Sequence, residues 1–134
     1  MTRINLIPVT ELHSRHLVAE YRELPRVFSL IRADDAKRAA GVRTPTAPAS
    51  YVLGPGHVRF FYDKALWLLE RQRLLIAEMN RRGMRPSFTA DDSLIEGIDV
   101  GRQLPGWAPN QDEVNLNRAR IEQRLDEMRA RGIK

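Results

Sequence analysis

The amino terminus, Met1-Thr2-Arg3, carries the first group that could do chemistry. Because threonine has a small side chain, we expect Met1 to be removed by ordinary N-terminal processing, which would expose the α-amine of Thr2. An α-amine has a pKa of about 7.7–8.0, well below that of lysine, so more of it is neutral at pH 7. Nearby cations such as Arg22 and Arg26 would lower this pKa further. A neutral amine can attack a sugar aldehyde carbon and form a Schiff base, so Thr2 is a candidate nucleophile.

A carboxylate between arginines is the second candidate, in the stretch Glu20-Tyr21-Arg22-Glu23-Leu24-Pro25-Arg26. On a helical repeat, Arg15, Arg22 and Arg26 fall on one side, with Glu23 beside them. Glu23 could stabilise a cationic sugar or move protons, while guanidinium groups bind phosphates in a bidentate manner. The same pattern is also typical of a charged helix face that is only solvated.

Composition narrows the class of protein. The chain has 134 residues, a net charge of +5 and no cysteine, so disulfides and zinc–thiolate sites are excluded. Its pI of about 10.2 makes nucleic acid the first partner to consider, ahead of an anionic membrane surface or an acidic protein. No apolar run approaches the ~20 residues of a membrane span, and no signal-peptide pattern is present.

Other common kinds of site are missing from the sequence. The histidines at positions 13, 16 and 57 are too scattered to match a spaced metal-ligand motif. Gly54-Pro55-Gly56 lacks the spacing of a phosphate-binding glycine loop, and no nucleophilic serine motif occurs. We therefore expect no metal and no other cofactor.

Hydrophobic periodicity predicts an all-α, single-domain protein, residues 1–134, with three main helices, an N-terminal arm and long connecting loops. The first helix starts at Thr10, or with Ser14 as a second candidate cap, and reaches about residue 40 with a kink at Pro25. The second covers about residues 58–82 and ends at a left-handed glycine, Gly83. The third begins near Asn110, where an Asn-x-x-Glu sequence resembles a capping box. The connector 84–109 is expected to pack on the core or to serve function.

Three separated blocks of sequence carry a resemblance to a known family. They are Met1-Thr2-Arg3-Ile4-Asn5-Leu6, then Ala19-Glu20-Tyr21-Arg22-Glu23-Leu24-Pro25-Arg26-Val27-Phe28, then Leu53-Gly54-Pro55-Gly56-His57-Val58-Arg59-Phe60-Phe61-Tyr62-Asp63-Lys64. In this order they resemble the pyrimidine-dimer DNA glycosylase and abasic-site lyase family of phage, whose enzymes are called endonuclease V of the dimer-specific type. The resemblance is strong over the first two helices and weak over the third.

The resemblance implies an all-α repair enzyme that cleaves the glycosidic bond of a cyclobutane pyrimidine dimer and then cuts the strand by β-elimination, without a metal. The family's nucleophilic amine falls on Thr2 and its catalytic glutamate on Glu23. Its DNA-binding residues fall on Arg3, Arg22 and Arg26, and less closely on Arg120 and Arg124, with His16 as the active-site histidine. Arg15 replaces a glutamine of the family. Where the family has an aromatic-rich tail, this chain has the sequence Arg129-Ala130-Arg131-Gly132-Ile133-Lys134.

The implied substrate is double-stranded DNA carrying UV damage or abasic sites. The expected enzyme is a monomer, independent of membranes, in the cytoplasm and nucleoid of a bacterium or in cells infected by a virus. Two alternatives stay open at this stage. A non-enzymatic nucleic-acid-binding helical module would use the same arginines without forming a covalent intermediate. A helical interaction protein would have basic faces that are only solvated.

Overall fold

The described part of the chain, residues 2–132 of a computed structural model, contains helices and irregular connections but no strand. Its α-helices are α1 (Ser14–Glu23), α2 (Pro25–Ala39), α3 (Ala65–Arg81) and α4 (Gln111–Ala130). Short 3-10 turns cover Val9–Glu11, Arg59–Phe61, Asp92–Ile95 and Val100–Arg102. Since α1 and α2 follow each other directly, these are the three main helices of the prediction, and the all-α class is confirmed. Met1 and residues 133–134 lie outside the described residues.

The junction of α1 and α2 is a kink at Pro25. Leu24 keeps helical backbone angles (φ −57°, ψ −43°), and Pro25 occupies the first position of α2, where its missing N–H removes no helical hydrogen bond. The predicted start at Thr10 is wrong. Thr10 belongs to a 3-10 turn, and the chain is extended at Leu12, which is buried, and at His13, which caps α1.

The second main helix also starts later than predicted, at Ala65 instead of residue 58. Lys64 leaves the helical region (φ −126°, ψ 35°), and its ammonium group donates to Phe60 O at 2.9 Å and to Asp63 at 2.7 Å. The Gln103 side chain accepts from Ala65 N at 2.7 Å and so satisfies a free donor at the helix start. At the other end Gly83 has a positive φ of 83°, as the sequence predicts.

The start of α4 agrees with the prediction. Asn110 accepts a hydrogen bond from Glu113 N at 2.8 Å, and the Glu113 side chain accepts from Asn110 N at 3.1 Å, which completes a capping box. Glu113 also accepts from Tyr51 N at 2.8 Å. This cap therefore ties the loop after α2 to the start of α4.

One continuous hydrophobic core joins the helices, the N-terminal arm and the connector. The arm contributes Ile4, Leu6 and Ile7, each no more than 6% exposed. In the connector, Trp107 packs edge-on against Phe60 and Trp67, at ring-centre distances of 5.7 and 5.3 Å. The connector therefore packs on the core, as expected. No helix among residues 2–132 is long and apolar enough to cross a membrane.

Candidate active site

The N-terminal arm is held from one side by the loop that precedes α3. His57 Nε2 accepts from Ile4 N at 2.8 Å, and the Tyr51 hydroxyl donates to Ile4 O at 2.8 Å. His57 Nδ1 lies 2.7 Å from Val52 O. Because Nε2 accepts, the proton of the neutral ring sits on Nδ1 and is donated to Val52. Burial lowers the pKa of His57 to about 4, which keeps the ring neutral and able to accept.

From the other side the arm meets a group that we call the inner polar network: Asn5, Glu20, Arg71 and Asn117. Asn117 Oδ1 accepts from the backbone N–H of Leu6 at 2.7 Å and of Ile7 at 3.1 Å. Its amide donates to Asn5 Oδ1 at 2.9 Å, and Asn5 in turn donates to Glu20 at 2.9 Å. All four side chains belong to buried residues.

The centre of the inner polar network is a buried ion pair. Arg71 donates to both carboxylate oxygens of Glu20, at 2.7 and 3.0 Å, and also to Ile7 O at 2.7 Å. A buried charge is tolerated when it is paired and hydrogen-bonded in this way. The network thus links α1, α3 and α4 to the arm. These links hold the arm in one position against the three helices.

At the start of the arm, Thr2 contacts two residues of the predicted Arg–Glu stretch, Glu23 and Arg26. Its hydroxyl donates to Glu23 Oε2 at 3.3 Å and accepts from Arg26 Nη1 at 3.0 Å. Thr2 is only 3% exposed, whereas Glu23 is half-buried and Arg26 is exposed. The Thr2 hydroxyl therefore joins the carboxylate of Glu23 to the guanidinium of Arg26.

Next to this contact a pocket of about 350 Å³ opens between the arm, α1 and α4. Glu23 forms part of its wall, and its rim is rich in arginine. Its lining residues are Arg3, Asn5, His16, Ala19, Glu20, Glu23, Arg120, Ile121, Arg124, Glu127, Met128 and Arg131. A cavity of this size, with several cations and a carboxylate in its lining, suits a negatively charged ligand.

His16 lies in the pocket wall with an unused ring nitrogen. Its Nδ1 is buried and has no hydrogen-bond partner among residues 2–132. Burial lowers the pKa of His16, and the neighbouring charges of His13 and Arg124 lower it further. The ring is therefore neutral near pH 7 and can exchange hydrogen bonds with a ligand in the pocket.

The remaining predicted site residues fall into two groups. Arg3, Arg120 and Arg124 line the pocket, and Arg3 also donates to Leu53 O at 3.0 Å. Arg15 and Arg22 are exposed on α1 and do not line it. Five of the nine predicted residues therefore line the pocket: Arg3, His16, Glu23, Arg120 and Arg124. Thr2 and Arg26 do not line it but are joined to Glu23 through the Thr2 hydroxyl.

Sequence reasoning missed the inner polar network and two pocket residues, Glu127 on α4 and Arg131 at its C-cap. A signal for the network existed, since Asn117 falls on the apolar stripe of α4 between Val114 and Ile121. A polar residue at such a position has to find a buried partner. Nothing in the sequence singles out Glu127 from the other acids of α4.

Comparison with known families decides between the alternatives left open by the sequence. A family model described as pyrimidine dimer DNA glycosylase matches residues 1–92. The chain belongs to this family. Its substrate is therefore DNA, and its general activity is that of a pyrimidine dimer DNA glycosylase. This finding favours an enzyme over a binding module or an interaction protein.

The matched region contains the arm, α1, α2 and α3, and so includes Thr2, Glu23 and Arg26. The α4 wall of the pocket lies beyond it. Among residues 2–132, no group of three His, Cys, Asp or Glu side chains is arranged to hold a metal ion. The described site offers a carboxylate, a histidine and guanidinium groups beside Thr2.

Proposed function

We propose that this glycosylase works through a Schiff base on the α-amine of Thr2 and that it also cleaves the DNA strand as an abasic-site lyase. The contact of Thr2 with Glu23 at 3.3 Å and with Arg26 at 3.0 Å carries the proposal. In this contact the residue that would supply the amine touches a cation and a carboxylate, and the carboxylate lines the pocket.

Arg26 and Glu23 would have opposite effects on this amine. The guanidinium of Arg26 disfavours the protonated amine and lowers its pKa, which keeps a nucleophilic fraction at neutral pH. Glu23 opposes this shift in the free enzyme, but its charge favours the cationic species that forms later. We therefore assign Glu23 to the stabilisation of the cationic transition state and not to the activation of the amine.

The proposed reaction begins when the neutral amine attacks C1′ of the damaged nucleotide. As the bond from C1′ to the Thr2 nitrogen forms, the bond from C1′ to the base breaks, and the base keeps the bonding electrons and takes up the proton that the attacking amine loses. Opening of the sugar gives an iminium ion, which Glu23 stabilises by charge. Loss of a proton from C2′, assisted by Glu23, then expels the 3′ phosphate by β-elimination, and water hydrolyses the iminium to free the enzyme.

The proposed substrate is duplex DNA with a cyclobutane pyrimidine dimer or an abasic site, bound by a monomer without a cofactor. Arg3, Arg120 and Arg124 would meet phosphates at the pocket, together with His16. Arg15, Arg22 and Arg26 would extend these contacts along α1 and α2. A weakly stacked lesion costs less to flip out of the duplex, which would contribute to selectivity.

Borohydride trapping on DNA with an abasic site tests the covalent step. We expect a protein–DNA adduct that peptide mapping places on the Thr2 nitrogen of chains from which Met1 has been removed. A chain that retains Met1, checked by mass spectrometry, should lose roughly 100-fold or more in rate, because an added residue moves the amine by up to ~3.5 Å. An adduct on a lysine, or full activity with Met1 retained, would refute the mechanism.

The Glu23→Gln variant tests the carboxylate separately. It keeps the shape of the side chain and removes its charge, so DNA binding should persist. Single-turnover cleavage should fall by about 100- to 1,000-fold, the size expected when a charge acts mainly in the transition state. Cleavage at a rate near that of the parent chain would show that Glu23 does not have the proposed role.

A further inference from the structure

The C-terminal half of α4, with the residue that follows it, presents a face that we call the outer arginine face: Arg120, Arg124 and Glu127 of the helix and Arg131 at its C-cap. Their spacing of three or four residues puts them on one side of the helix, and all four line the pocket. Arg124 and His16, which lies on α1, line the same pocket. The face is therefore one wall of the space assigned to DNA.

Within this face, a single carboxylate oxygen is shared by two guanidinium groups. Glu127 Oε2 lies 3.4 Å from Arg124 Nη1 and 3.8 Å from Arg131 Nη2. Both distances are longer than the 2.9 Å of the neighbouring pair between Arg129 and Asp126 on the same helix. The Glu127 pairs are loose and partly exposed, so little free energy opposes their exchange for another anion.

We propose that Glu127 occupies the position of a DNA backbone phosphate between Arg124 and Arg131 while the protein is free of DNA. A phosphodiester and a carboxylate offer guanidinium groups the same kind of acceptor oxygens. On binding, the phosphate takes over both arginines and the Glu127 side chain turns away. This inference rests on the proposed function, because it takes the pocket to be where DNA binds.

The exchange has an energetic consequence that can be measured. Before the phosphate can bind, Glu127 has to give up both guanidinium groups, because the carboxylate and the phosphate compete for the same donors. Glu127 would therefore weaken DNA binding in the wild-type protein, and removing its charge would strengthen binding. A residue that merely stabilised α4 would have the opposite or no effect.

The test compares Glu127→Gln with Asp126→Asn in binding to a duplex that carries an uncleavable tetrahydrofuran abasic-site analogue. Both variants remove one negative charge from an Arg–acid pair in the same turn of α4, but Asp126 does not line the pocket. Binding is measured at about 0.1 M salt, where a Debye length of about 10 Å screens the more distant charge. Glu127→Gln should bind roughly two- to fivefold more tightly, the range expected for an exposed ion pair, and Asp126→Asn should not.

A second arm repeats the Glu127→Gln change in a chain that already carries Arg131→Gln. If the carboxylate competes for Arg131, the gain in affinity should shrink in this background. An equal or larger gain would indicate simple repulsion of DNA and would overturn the shared-phosphate arrangement. Equal affinities of Glu127→Gln and Asp126→Asn would overturn it as well.

Failure of this inference can be told apart from failure of the proposed function. If the parent chain forms the Thr2 adduct and binds the analogue, but Glu127→Gln does not bind more tightly, only the role of Glu127 is refuted. If the parent chain forms no Thr2 adduct while Glu127→Gln still binds DNA more tightly than Asp126→Asn, the phosphate position stands and the Schiff-base mechanism falls. Absence of DNA binding by the parent chain would refute both.

Discussion

Two arginine–glutamate pairs near the pocket have opposite physical characters. Arg71 and Glu20 are 4% and 0% exposed and are joined by two hydrogen bonds of 2.7 and 3.0 Å. Arg124 and Glu127 are 48% and 37% exposed and are 3.4 Å apart at their closest. The same two residue types thus make a fixed part of the structure in one place and an exchangeable contact in the other.

The different access of water to the two ion pairs accounts for their different characters. In the inner polar network, water cannot replace a lost partner, so breaking the pair leaves a buried charge without compensation. On the outer arginine face, water and salt share the charges, so a partner can be exchanged at little cost. The inner network is suited to position the arm, and the outer face is suited to receive DNA.

The largest effect is expected from breaking the inner pair. Arg71→Met leaves the Glu20 carboxylate buried without its partner and should lower the free energy of unfolding by about 3–5 kcal/mol. Urea denaturation would measure it. Arg73→Met is a matched control on α3, since Arg73 is 44% exposed and pairs with Asp92 at the surface. If both variants lost the same stability, the distinction between the two kinds of pair would fail.

A somewhat smaller loss is expected at Asn117. Asn117→Leu keeps the volume but leaves the N–H groups of Leu6 and Ile7 without an acceptor, which should cost about 2–4 kcal/mol of unfolding free energy. Single-turnover cleavage, measured under conditions where the variant is folded, should fall as well because the arm is less well positioned. Asn115→Leu, at an exposed position of α4, should change the unfolding free energy by no more than about 0.5 kcal/mol.

His57 makes stability depend on pH. Its pKa is about 4 in the folded protein and about 6.5 in an unfolded chain, so the unfolded state binds the additional proton between these values. Stability contributed by the neutral ring is complete above pH 6.5 and is lost as the pH falls towards 4.

Between pH 6.5 and 5 this loss should amount to about 1–2 kcal/mol of unfolding free energy. Tyr51 and Arg3 are the ionisable groups that face His57, and neither changes its charge in this range. A His57→Gln variant should therefore show a flatter pH profile in denaturant titrations. A profile as steep as that of the parent chain would assign the pH dependence to other groups.

The smallest effect on stability is expected on the outer arginine face. Arg124→Gln should change the unfolding free energy by less than about 0.5 kcal/mol. If Arg124 meets one phosphate, the log–log slope of DNA affinity against salt should become shallower by about 0.9. Arg129→Gln, on the same helix and outside the pocket, should leave the slope unchanged. Equal slopes for both variants would remove Arg124 from the DNA interface.

Helices were predictable where the hydrophobic period and a local cap agreed, as at Asn110 and Glu113. The start of α3 was not, because the apolar residues Phe60 and Phe61 continue the pattern through a 3-10 turn. Only the tertiary contacts of Lys64 and the distant Gln103 fix Ala65 as the first helical residue.

The candidate site was predictable where short motifs carried it, in the arm and in the Arg–Glu stretch of α1. The inner polar network was not predicted, because each of its members looks ordinary within its own helix. Asn117 becomes informative only through partners about 110 residues away. Glu127 and Arg131 resemble the other charged residues near the end of the chain, and only their position in the pocket lining distinguishes them.

The docking of the arm onto Asn117 also has a consequence for biosynthesis. Its hydrogen bonds join positions 111 and 110 residues apart, so nearly the whole chain must be made before they can form. At about 5–20 residues per second, roughly 5–20 s separate the synthesis of the arm from that of α4.

During that interval the start of the chain is open to an aminopeptidase, whereas in the folded protein Thr2 is only 3% exposed. We therefore expect maturation of the proposed nucleophile to be a race between processing and folding. A chain that completes folding before it loses Met1 would be a poorer substrate for the aminopeptidase and would lack the free amine that the proposed mechanism needs.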